Sequence, residues 1–448
     1  MAVAAGLALP VPTLAGEPGG FFREVKPVVT VENRLGLALR AAGGSQDSDL
    51  YDHWLVRGSG WAGGHLDGAF SGRLHKDLDS TDRSLGSDLF VGVEDRRQGW
   101  AEQIYQLWAD LHTGDGRFGL RLGRQYLENA GALQIDGGLL RFFAGDPLDG
   151  ELFFGRPVSY YSTTRDDWAG GAALGARLWP GGKLRLAYVA FRDREVDARD
   201  EQLLVEAWQR LAASWQARGR LMLLDAELAM AAAEARYGAL AAGFDAWLRL
   251  EHWQGLGAMG NAYSPLQATL GDLAPFTVLS ARCSKVLLPW LTVSPGVSGR
   301  FVAAGNRDLH NRQYGHADLT FLFTLTPAWT LSVSGEHWDV SGHDRFQGVS
   351  GQVSYRPGGL WDLSAGTAYL DYHYTQYADT SFALRPADVV IAADNSVVQV
   401  SPDAYTLFVR LRCRLTEAVS LRIHAELEDN SLESDTIYGL RTTLITRF

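Results

Sequence analysis

Asp435-Thr-Ile-Tyr-Gly-Leu-Arg-Thr-Thr-Leu-Ile-Thr-Arg-Phe448 is the stretch from which the fold is read. Counting back from Phe448, every second position gives Thr446, Leu444, Thr442, Leu440 and Tyr438. The other face carries Arg447, Ile445, Thr443, Arg441 and Gly439. A period of two defines a strand, and an aromatic at each end of one face with arginines on the other suits a strand standing in a bilayer.

This C-terminus resembles the last strand of bacterial outer-membrane β-barrels, in which the terminal aromatic is the assembly signal. The resemblance gives Phe448 that role, with the barrel-assembly machinery as partner and the C-terminus in the periplasm.

Composition agrees. The chain has 448 residues, 50 of them glycine, with 11% aromatics and 14 tryptophans. Tight turns need the glycines, and aromatic girdles at two lipid–water interfaces need the tryptophans. Mean hydropathy is only −0.10. No apolar run of about eighteen residues follows the N-terminus, which excludes a helical membrane protein. A transmembrane barrel needs none, because only alternate residues meet lipid. A net charge of −11 argues against nucleic-acid binding, which requires a basic footprint.

Residues 1–16 (MAVAAGLALPVPTLAG) read as the apolar part of a secretory signal, with Thr13-Leu14-Ala15 as the cleavage site. Its basic leader is missing, so the natural start is expected upstream. Residues 17–448 then form one barrel domain. The two cysteines, Cys283 and Cys413, alternate with leucines and fall on apolar faces, so no structural disulfide is expected. No Cys-x-x-Cys-His haem attachment occurs, and no cofactor is expected.

From about residue 27 the chain is a procession of strand-length segments. Tyr314 to Leu325 sets Ala317, Leu319, Phe321 and Phe323 against His316, Asp318, Thr320 and Thr324. Tight turns at Trp179–Gly182, Leu288-Pro289, Thr326–Ala328 and Arg356–Gly359 alternate with long polar segments at 253–275, 304–312 and 376–402. Short turns at one end and long loops at the other mark an all-β, antiparallel, up-and-down transmembrane barrel of about 20 strands, with 18 to 22 allowed. Residues 201–253 resist a clean count. They are alanine-rich, which favours helix, yet Met222, Leu224, Ala226, Leu228 and Met230 alternate as a strand does.

A second resemblance lies in AEQIYQLWADLHTG (101–114), RFGLRLGRQYL (117–127) and LQIDGGLLRF (133–142). With DHWLVRGSGWAGGHLDGAFSGRL (52–74), these segments resemble the alginate-export porin family. They are shared more loosely with sheath porins that enclose multihaem cytochromes in electron conduits. That family's Trp-Arg-Gln-Asn-type segment between the Gly-Arg-Gln element and Asp136-Gly137 is absent here.

Candidate pore-lining residues follow from the inward faces. Arg121, Arg124 and Gln125 are either constriction residues or anchors of a turn, and strict alternation keeps one arginine out of the lumen. Arg282 and Arg300 lie on neighbouring inward columns. On the last strands Phe408, Arg410, Arg412 and Arg414 form one column, and Ser420, Arg422, His424, Glu426 and Glu428 the next. Arg441, Thr443 and Arg447 form a third. Such a ladder attracts anions and grips carboxylates in bidentate fashion. Alternatively, Arg410, Arg422, Glu426 and Glu428 neutralise one another and brace the wall.

The 11 histidines show no metal-ligand spacing, and no nucleophile elbow or phosphate loop occurs, so an enzyme is not expected. Asp371-Tyr372-His373 resembles a barrel-protease pair only in composition. The chain reads as an outer-membrane porin for small polar or anionic solutes, narrowed by an infolded loop drawn from 253–275 or from 376–402 with its apolar run Val389–Ala393. The alternatives are a sheath around a multihaem cytochrome and a plugged structural barrel.

Overall fold

The computed structural model describes residues 26–42, 45–78, 100–128, 133–143, 147–158, 166–194, 197–254, 275–303, 312–341, 344–377, 397–431 and 436–448. The signal-like segment 1–16, the apolar run Val389–Ala393 and most of the long segments expected to narrow the pore lie outside the described residues.

Among the described residues the chain forms 23 strands. The first are β1 (Val28–Ala42), β2 (Ser45–Gly60), β3 (Leu66–Asp77), β4 (Trp100–His112), β5 (Phe118–Leu127) and β6 (Leu133–Phe143). Next come β7 (Leu148–Pro157), β8 (Trp168–Trp179), β9 (Gly182–Asp193), β10 (Ala198–Ala212), β11 (Trp215–Leu224) and β12 (Glu227–Ala239). They are followed by β13 (Phe244–Trp253), β14 (Phe276–Leu288), β15 (Leu291–Val302), β16 (Tyr314–Thr324), β17 (Trp329–Val340) and β18 (Asp344–Tyr355). The last are β19 (Trp361–Tyr377), β20 (Val397–Val400), β21 (Asp403–Arg414), β22 (Val419–Asn430) and β23 (Ile437–Arg447).

Every strand pairs antiparallel with its sequence neighbour, except that β20 adds only to the far end of β19 while β19 continues the ring to β21. β23 then pairs with β1 from Glu32–Arg447 to Ala41–Tyr438. The result is a closed barrel of 22 strands, at the upper edge of the expected range. Closure leaves no backbone edge along the wall, the condition for standing in lipid.

The alanine-rich stretch resolves into four strands, β10 to β13. Helix propensity loses there because alternate residues must face two different surroundings, and a strand satisfies that with every backbone group paired to a neighbour. The turn after β11 is two residues long, Asp225 and Ala226, both at positive φ (51° and 67°). Positive φ at both central residues is the geometry of a tight hairpin, but Asp-Ala carries little of the usual sequence signal.

Among the described residues most short turns gather at the end that holds Val28 and Phe448, although the Asp225-Ala226 turn lies at the opposite end. Thr326 and Thr416 shape two of them: the Thr326 hydroxyl accepts from the Ala328 and Trp329 amides, and the Thr416 hydroxyl from Ala418 and Val419. Next to these turns the outer face carries a belt of rings. Trp215 meets Tyr237 at 4.8 Å between centroids, Trp290 meets Phe323 at 6.1 Å, and Trp329 meets Tyr355 at 4.3 Å. Leucines and valines such as Leu221, Leu248, Val297, Leu407 and Leu440 cover the outer wall and remain exposed. An apolar band edged by aromatics is the surface of a bilayer-spanning barrel.

Candidate functional site

Register fixes what faces the lumen. Arg410 stands opposite His424, which stands opposite Arg441. One row nearer the termini, Arg412 faces Arg422, and beyond it Arg414 faces Ser420. Directly paired positions on neighbouring strands have Cβ atoms about 5 Å apart. The three sequence columns therefore form one basic patch across β21, β22 and β23. Arg410, Arg412, Arg414, Arg422 and Arg441 are all exposed.

Among the described residues none of these five arginines makes an ion pair. The pair present in the patch is His424 with Glu426, at 3.2 Å. Glu428 faces Thr406 and accepts from Asn430 at 3.1 Å. The mutual neutralisation of Arg410, Arg422, Glu426 and Glu428 is thus not the arrangement found. Arg410 lies over the Phe408 ring at 4.4 Å instead. A recess of about 410 Å³ opens between Arg410, Arg412, Arg422 and Arg441, with Asp362, Ser364 and Thr443 on its rim.

At the seam the charges are matched. Glu32 takes Arg447 at 2.7 Å on one side and Arg34 at 2.5 Å on the other. Sequence reasoning did not single out Glu32 or Arg34. Their inward parity becomes readable only once β1 is known to lie beside β23.

Elsewhere around the ring, inward charges are also paired. Arg218 meets Glu206 at 2.6 Å, Arg236 meets Glu234 at 2.5 Å, and Lys183 meets Asp149 at 3.2 Å. Arg282 binds both oxygens of Asp318, at 3.0 and 2.9 Å. Arg300 stacks over Phe276 at 4.2 Å.

The Arg121, Arg124 and Gln125 element divides. Arg121 points inward, bound to Asp110 at 2.9 Å and lying over Trp108 at 4.0 Å; Arg141 shares the same carboxylate. Gln125 also points inward but is buried, 1% exposed, with its amide near the Gly137 carbonyl at 3.3 Å. Arg124 does not line the lumen. It shares the outer face with Leu122 and Tyr126, holds Asp136 through two bonds of 2.7 Å, and donates to the Ile104 carbonyl at 3.1 Å. Alternation forces this, since Arg121 and Arg124 are an odd number of residues apart.

The far wall holds a surprise. Leu127, Ile135, Leu139, Phe153, Ala169, Val189 and Phe191 face inward on β5 to β9, yet all are buried. Leu204, Met222, Leu224 and Met230 form a second buried cluster beside them. The apolar part of the inward face is thus buried, while the arginines of β21 to β23 remain exposed.

No protein-family model and no curated protein matches the chain. Several solved structures do. OpdO of Pseudomonas aeruginosa aligns at 10% identity and TM-score 0.42, over 94% of this chain and 97% of that one. OpdK of the same organism, solved with vanillate, aligns at 9% identity and TM-score 0.41, over 96% and 100%. OccAB3 of Acinetobacter baumannii aligns at 9% identity and TM-score 0.43, over 94% and 99%. All three are outer-membrane porins. The alginate-export resemblance rests on residues 52–74 and 100–142 and is not shown by these comparisons.

Proposed function

We propose that this chain is an outer-membrane porin, its C-terminus periplasmic, that passes small polar solutes by diffusion and favours anions. The observation that carries the reading is the set of five exposed lumenal arginines that make no ion pair among the described residues, with one carboxylate, Asp362, standing opposite Arg412 on β19. Like charges directly opposite on neighbouring strands, such as Arg412 and Arg422, oppose folding. A protein keeps such a pair where mobile anions supply the missing charge.

Guanidinium groups suit this task. They stay charged at any physiological pH and bind carboxylate or phosphate oxygens in pairs. Spread over three rows, they offer successive weak stations, so an anion enters readily and leaves readily. The aromatic belt beside the short turns and the apolar outer wall support the membrane location. The assembly role of Phe448 comes from the C-terminal resemblance.

Single-channel recording of the purified barrel in a planar bilayer tests the reading. A steady open conductance that needs no partner is expected. Near-zero conductance would contradict it and turn attention to a lumen occupied by a partner such as a multihaem cytochrome.

A further inference from the structure

A second lumenal surface, well away from the arginine wall in sequence, has a different chemistry. On β16 to β19 the register brings His316, Trp338, Phe346 and Tyr372 into one inward row. Trp338 stacks on His316 at 4.0 Å and meets Tyr314 at 5.0 Å, while Phe346 meets Tyr372 at 4.7 Å. Trp338 and Phe346 are half-buried, so neither ring is lost in a core.

The next row toward the termini is acidic. Asp318 faces Glu336, which is 40% exposed and accepts from the Trp338 indole at 3.1 Å. Below it runs a row of hydroxyls, Ser294, Thr320, Ser334 and Ser350, in which Thr320 and Ser334 bond at 2.9 Å. Rings, carboxylates and hydroxyls thus descend the wall in sequence.

We propose that this wall is a binding strip for pyranose sugars. A pyranose ring has one face of C–H groups and a rim of hydroxyls. The C–H face lies flat on Trp338 and Phe346, which offer large apolar area with little side-chain freedom to lose. The hydroxyl rim donates to Glu336 and exchanges bonds with the Thr320 and Ser334 hydroxyls. Aromatic carboxylates would also stack on the rings, but Glu336, which no arginine or lysine pairs with among the described residues, would repel their charge. The strip therefore selects hydroxylated rings over anionic ones. This assignment is independent of ion preference, because it uses none of the unpaired arginines.

Equilibrium binding of maltotriose to the full-length barrel, in a polyoxyethylene detergent that carries no sugar, tests the assignment without requiring conduction. Saturable binding is expected, weakened about tenfold by Trp338→Ala and by Phe346→Ala, and about twofold by Trp338→Phe. Sodium benzoate is expected to bind more weakly than maltotriose. Resistance of the folded barrel to unfolding in cold detergent identifies which variants are intact, and the two ring variants serve as independent probes. Absent binding, equal affinity of wild type and both folded alanine variants, or tighter binding of benzoate would each overturn the assignment.

Discussion

Val31 and Phe448 exchange both backbone hydrogen bonds, 3.0 Å from the Val31 amide to the Phe448 carbonyl oxygen and 2.9 Å in return. The last residue of the chain is therefore the last rung of the seam between β23 and β1. The rung is separable from the role of aromatic signal that the C-terminal resemblance implies for Phe448.

Deleting Phe448 removes two bonds worth about 1 kcal/mol each and leaves a backbone edge open at the membrane surface. Reduced refolding into detergent and reduced assembly in cells are expected, both read from the heat-shifted band on a gel. Phe448→Ala keeps the rung, so refolding is expected to persist while cellular assembly falls several-fold. Equal loss in both assays for Phe448→Ala would deny the signalling role.

Gly123 sits at φ 123° where β5 passes close to β4, and a Cβ there would lie 2.1 Å from the Leu107 carbonyl oxygen. Only glycine tolerates both conditions. Gly123→Ala is expected to cost about 2 kcal/mol or more and lower the denaturation midpoint clearly. Gly315→Ala, with open space around the new methyl group, is expected to leave the midpoint close to wild type.

Arg412→Gln relieves the like-charge pair with Arg422. Stability is expected to hold or rise by about 0.5 kcal/mol, while preference for chloride over potassium declines. A drop in stability larger than about 1 kcal/mol would mean that Arg412 braces the wall.

Arg282→Gln acts in the opposite way, because it strips Asp318 of its bidentate partner. The freed carboxylate is expected to shift permeation toward cations, with a stability loss of about 1 kcal/mol for a pair whose arginine is half exposed and whose carboxylate is 15% exposed. An unchanged reversal potential would remove Asp318 from the conducting path.

The closing strand, the inward columns of β21 to β23 and the tight turns were all legible in the sequence, because in a barrel each follows from a period of two. What stayed hidden was whatever period two cannot encode. The strand count was blurred at Asp225-Ala226, a turn with little of the usual residue signal. Alternation separates two faces but does not say which meets lipid when both are apolar. Thus Ile135 and Leu139 turned out to face inward while Leu140 faces out. Whether the arginines were paired was equally open, since Glu426 and Glu428 lie on the right strand but in rows where they do not reach Arg410 or Arg422.

The central claim is that the unpaired arginines set ion preference. The direct measurement is the reversal potential across a potassium chloride gradient, for wild type and for the triple variant Arg410→Gln, Arg412→Gln, Arg422→Gln. The account predicts an anion-selective sign for wild type that shrinks or reverses in the variant. A cation-selective wild type, or a variant with the wild-type potential, would contradict it.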